Sequence, residues 1–146
     1  MIVLFSFALL ALPVLTMRDQ SVAIEGSLRC HLTPLRNVTV ELQEKRKGIF
    51  KNKVLATNTT DSQGRFYLSG GTSRLFPVTP VLHIPKDCKH KEVSIKLNIA
   101  KTSVTLGKVP RTVVNVGIIN LEIFKLPTPS STNSSQEENI PYIDVN

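Results

Sequence analysis

Tryptophan is absent from this chain, and aromatic residues make up only 5% of it. A core here has to be assembled from Val, Ile and Leu. Cysteine occurs twice (Cys30, Cys88) and histidine three times (His31, His83, His90), at scattered positions. That set lacks the paired spacing of a zinc site, so no metal ligands and no cofactor are read from it. No Gly-x-Ser-x-Gly stretch occurs, which removes the usual signature of a nucleophile elbow. Sustained 3.6-residue apolar periodicity is missing too, so helix is expected to be slight. No apolar run reaches the roughly 20 residues a membrane-spanning helix needs.

What is present begins with "MIVLFSFALLALPVL", an uncharged apolar run followed at once by polar "TMRDQS". It is too short to span a bilayer and has no polar face to meet water. It reads as a secretory signal peptide over residues 1–16, with Pro13 breaking the helix ahead of cleavage. The mature protein is then extracellular. In an oxidising compartment Cys30 and Cys88 are an even pair, and a bridge between them is the default.

The net charge of +7 is unevenly spread. The tail 127–146 holds Glu137, Glu138 and Asp144 and no base, which leaves 17–126 with 18 bases against 8 acids. Such a body is drawn to anionic lipid, glycosaminoglycan or acidic protein. Half the story is one segment, "KRKGIFKNK" at 45–53, with Lys45, Arg46, Lys47, Lys51 and Lys53 and no acid.

The rest reads as strands. In "SVAIEGSLRC" Val22, Ile24, Gly26, Leu28 and Cys30 share one face, with Ala23, Glu25, Ser27 and Arg29 on the other. That period of two marks a half-buried strand. "RNVTVELQE" repeats it with Val38, Val40 and Leu42 inward, and "EVSIKLNIA" with Val93, Ile95, Leu97 and Ile99. "NKVLATNT", "FYLSGG", "FPVTPVLHI" and "TVVNVGIINLEIF" supply further strands, the last interrupted by Gly117 as at a bulge. Seven or eight short strands between turn signals predict an all-β, antiparallel β-sandwich, transthyretin-like or immunoglobulin-like, over 17–126. The Ser-, Thr-, Asn- and Pro-rich stretch 127–146 predicts a disordered tail, in which "NIPYIDV" is the one segment able to add a strand. Sequons stand at Asn37, Asn58 and Asn133.

Four stretches in order resemble the nematode transthyretin-like family of secreted proteins: "RDQSVAIEGSLRC", "TDSQGRFYLSGG", "PVLHIPKDC" and "GIINL". The resemblance runs from about Arg18 to Phe124. It implies a transthyretin-like sandwich, secretion and a non-enzymatic extracellular binding role, for a partner protein, an anionic lipid surface or a small lipophile. One branch of the family bridges exposed phosphatidylserine to a phagocyte receptor. Relatives commonly carry an Asp-rich segment where this chain has its basic one, so cation binding there does not transfer. Many also have further cysteines after the position of Cys88, so the family's pairing is not carried over.

The enzymatic alternative within this resemblance is hydroxyisourate hydrolysis, which relies on His and Arg at a dimer channel and on a terminal Tyr-Arg-Gly-Ser motif. No such tetrapeptide occurs, and no partner for a general base is legible beside His31, His83 or His90. Nucleic-acid binding lacks aromatic interleaving and any fold signature. For 45–53 two readings remain. Either Ile49 and Phe50 form an exposed apolar tip ringed by cations that meets an anionic surface, or they tuck into the sandwich edge and the lysines only solvate a turn.

Overall fold

The computed structural model describes residues 16–124 and 143–145. Ten strands occur among them: β1 (Arg18–Cys30), β2 (Thr33–Pro34), β3 (Thr39–Glu44), β4 (Lys53–Thr59), β5 (Arg65–Arg74), β6 (Pro80–Lys86), β7 (Glu92–Ile99), β8 (Thr105–Leu106), β9 (Val113–Asn120) and β10 (Ile143–Val145). Seven of these have six residues or more. The only helical elements described are short 3-10 turns at Lys101–Ser103 and Leu121–Phe124. The chain is the β-sandwich that the alternation predicts.

One sheet is organised around β1, which pairs antiparallel with β5, β2 and β8 and parallel with β9. The other has the order β10-β7-β6-β3-β4, antiparallel except for β10 on β7. The core lies between them. Val22, Ile24, Leu28, Phe66 and Leu68 come from the first sheet, and Val40, Leu42, Leu82, Ile84, Ile95, Leu97 and Ile99 from the second. Along β3, β5 and β7 these residues alternate with more exposed ones, so a one-residue slip there would turn them toward water.

Four expectations change in detail. Ala23, read as outward, is fully buried, because β1 is flanked in register by Ser69 on one side and Val113 on the other. The strand expected from Phe76 starts only at Pro80, and the one expected to run through Phe124 ends at Asn120. In the tail predicted to be disordered, Ile143–Val145 form β10. The remainder of 127–146, residues 1–15 of the signal peptide expected over 1–16, and the sequon at Asn133 lie outside the described residues.

Two glycines are demanded by the backbone. Gly117 has φ +72° and sits where the β1–β9 register steps between Glu25 and Ser27, so β9 carries one extra residue there. Gly64 closes the β4–β5 turn at φ +75°, with Asp61 Oδ1 accepting from the Gln63 and Arg65 N–H groups at 2.9 Å. A Cβ on Gly64 would stand 2.4 Å from the Leu28 carbonyl oxygen. Left-handed strain and a backbone collision add, so Gly64→Ala is expected to cost about 3 kcal/mol. Gly48 has a similar φ of +74° but nothing within 4 Å, and its Ala variant is expected to lose only about 1 kcal/mol. Urea midpoints of the two variants separate strain from collision. Equal losses would show that the collision is relieved.

Candidate functional site

The basic segment joins β3 to β4, and its conformation is fixed by polar side chains at its base. Asn52 Oδ1 accepts from the Arg46 N–H at 3.2 Å, and Asn52 Nδ2 donates to Gln43 Oε1 at 3.2 Å. Gln43 is buried, so this tie is shielded from water. The Lys45 N–H donates to the Thr79 carbonyl at 2.9 Å, pinning the loop to the segment before β6. Gly48 turns the tip.

At that tip Ile49 is 96% exposed and Phe50 67% exposed. They do not tuck into the sandwich edge. Of the two readings of this loop, the structure presents the exposed apolar pair.

The five cations divide. Lys45, Arg46 and Lys47 line an open groove of about 760 Å³. Lys51 lines a second cavity on the other side of Phe50, and Lys53, at the start of β4, donates to Thr72 Oγ1 at 3.1 Å. The groove gains Arg74, Lys101, Phe76 and Pro77, which no linear pattern had tied to the basic run. Phe76 is held outward by buried Gln20, whose Nε2 donates to the Phe76 carbonyl and whose Oε1 accepts from the Val78 N–H, both at 2.9 Å. At one side Arg74 Nε pairs with Oε1 of buried Glu44 at 2.9 Å. The result is a cationic groove between two aromatic side chains, Phe50 and Phe76. It suits an anionic head joined to an apolar body.

The second cavity, about 390 Å³, is lined in part by Phe50, Lys51, Asn52, His83, Ser94 and Lys96. Here His83 has a set of partners drawn from the strands on either side of it. His83 Nδ1 lies 3.0 Å from Glu41 Oε2, and His83 Nε2 lies 3.3 Å from Ser94 Oγ. Gln43 Nε2 donates to the same Glu41 oxygen at 2.7 Å. The Glu41 carboxyl is held below its ordinary range chiefly by the hydrogen bond from His83; partial burial opposes this, while Gln43 and the charge of His83 reinforce it. His31 and His90 are elsewhere, both at positive φ, with His31 exposed and paired with Glu122.

Cys30 and Cys88 form a disulfide with Cα atoms 5.6 Å apart. Asn37 and Asn58 are both exposed, and Asn58 Nδ2 donates to the Tyr67 carbonyl at 2.9 Å.

The sequence model of the transthyretin-like family matches residues 25–106. The chain belongs to the transthyretin-like family. It is 38% identical to Transthyretin-like protein 46 of Caenorhabditis elegans over 111 residues, covering 73% of this chain and 62% of that protein. It therefore spans less than two thirds of that relative's length. Transthyretin-like protein 33 of the same organism is also 38% identical, over 108 residues, covering 71% of this chain and 76% of that one. Among solved structures, a 9R-lipoxygenase from Cyanothece PCC8801 aligns with 85% of this chain and 19% of its own, at 17% identity and a TM-score of 0.37. A likeness that slight carries no argument. No helix among the described residues is long and apolar enough to cross a membrane.

Proposed function

We propose that this transthyretin-like chain is a secreted binding protein that docks on anionic lipid surfaces through the β3–β4 loop. The observation that carries the reading is the exposure of Ile49 and Phe50 at a tip ringed by Lys45, Arg46, Lys47 and Lys51. The tip leaves apolar area in water while its base is tied down by Asn52 and Gln43. The cations are drawn to the surface potential of an anionic leaflet, each contributing about 1 kcal/mol near the headgroups. The groove beside them, with Arg74 and Lys101, receives a headgroup, and Phe50 and Phe76 flank its apolar continuation. Secretion is supported by the uncharged apolar leader and by the disulfide, and N-glycans on Asn37 and Asn58 agree with their exposure.

Flotation with vesicles tests the reading. Wild type is expected to float with phosphatidylserine-containing vesicles and far less with pure phosphatidylcholine, and added salt weakens the binding. A variant with Lys45, Arg46, Lys47, Lys51 and Lys53 all changed to Gln is expected to lose most of the bound fraction. Equal flotation of the two proteins overturns the proposal.

A further inference from the structure

The Glu41, His83 and Ser94 cluster lies on the outer face of the second sheet, on three adjacent strands, β3, β6 and β7. Glu41 is paired in register with His83, and His83 with Lys96, which places Ser94 one diagonal step along β7. Glu41 is ionised and only accepts hydrogen bonds, so His83 Nδ1 carries the proton that points to it. The Nε2 lone pair is then left for the Ser94 hydroxyl, 3.3 Å away. A hydroxyl nucleophile, an imidazole base and an orienting carboxylate stand in the order that acyl transfer uses, on a fold with no nucleophile elbow.

We propose that Ser94, His83 and Glu41 form an acyl-accepting centre that takes small carboxylic esters in the cavity beneath the basic loop. Ser94 Oγ attacks the ester carbonyl carbon as His83 Nε2 takes the hydroxyl proton. Negative charge develops on the carbonyl oxygen within a cavity that Lys51 and Lys96 also line. Collapse breaks the bond to the alcohol oxygen, which leaves with the proton from His83. A water molecule then repeats the sequence on the acylated serine, releasing the carboxylic acid and restoring Ser94. The cavity of about 390 Å³ limits the acyl group to a small one, and Phe50 gives it an apolar wall. Glu41 is a positioning residue, since it touches His83 rather than the ester. It is itself set by Gln43, which Asn52 links to the basic loop. A change in that loop therefore reaches the base through three hydrogen bonds.

A fluorophosphonate, which phosphonylates activated serines, reads this out by peptide mass mapping of the folded protein. Wild type is expected to carry the adduct on Ser94. Ser94→Ala, a substitution at an exposed residue, is expected to lose it with an unchanged circular dichroism spectrum. His83→Gln is expected to slow it at least about 100-fold, the scale of general-base assistance. Glu41→Gln is expected to slow labelling, and Glu41→Asp, which keeps a carboxylate able to accept from His83 Nδ1, to restore part of the rate; a purely structural role would not separate the two variants. No adduct on Ser94, or the same rate in His83→Gln, overturns the proposal. Vesicle flotation by Ser94→Ala matches wild type, so the two proposals fail separately.

Discussion

Replacing Cys30 and Cys88 together by Ala is expected to lower the unfolding free energy by about 4 kcal/mol, a large share of the 5–15 kcal/mol typical of a domain. The bridge joins residues 58 apart in sequence, so the reduced chain regains the entropy of a long loop when it unfolds. Its position adds to the effect. Cys30 ends β1 in one sheet, and Cys88 follows β6 in the other, so the bond adds a covalent tie between the two layers. Both cysteines pack against the core cluster, and their loss also removes apolar contact. Urea titration of the double variant against wild type measures the change, and calorimetry is expected to show the midpoint lowered by roughly 15 °C. Wild type treated with reductant is expected to behave like the variant. A loss below about 1 kcal/mol would mean that the sandwich is held by side-chain packing alone.

The fold was legible because burial and alternation coincide. A period of two places Val38, Val40 and Leu42, and likewise Ile95, Leu97 and Ile99, inward, and all are buried. The turn at Asp61–Gly64 is also set by neighbouring residues, since Asp61 caps it and Gly64 supplies the positive φ. What alternation does not carry is which strand lies beside which. Outward positions for Glu41 and Ser94 follow from it, yet nothing in the sequence says that β6 runs between β3 and β7 and brings His83 between them. The parallel pairing of β9 with β1 was hidden in the same way, and β9 misleads further by leaving Val113 and Ile118 exposed. The candidate site shows the limit again. A linear run marked five cations, but the groove takes three of them and recruits Arg74 and Lys101 from distant segments.

Ile49→Ser with Phe50→Ser is expected to abolish most vesicle binding without changing the stability of the fold. The stability half follows from exposure: Ile49 is 96% and Phe50 67% solvent-accessible, so their removal costs the core little. The binding half follows from comparing two terms. Moving two large apolar side chains out of water contributes about 1.5–3 kcal/mol each. The four cations around the tip together contribute a similar total, about 4 kcal/mol. Loss of the apolar term is then worth roughly a thousandfold in partition, since 1.4 kcal/mol is about tenfold. Salt distinguishes the terms. At about 1 M salt the screening length falls to about 3 Å, and the electrostatic contribution largely vanishes. Wild type is expected to keep a residual bound fraction there, and the double serine variant to keep none. At low salt the variant still binds weakly through its cations, whereas the little binding left to the five-site Gln variant depends far less on salt, since only Arg74 and Lys101 of the groove's cations remain. If the double variant floats like wild type at every salt concentration, the contact is made by charge alone and the tip stays in water. If its unfolding midpoint falls, Ile49 and Phe50 pack against the sandwich in solution, and the loop is a solvated turn after all.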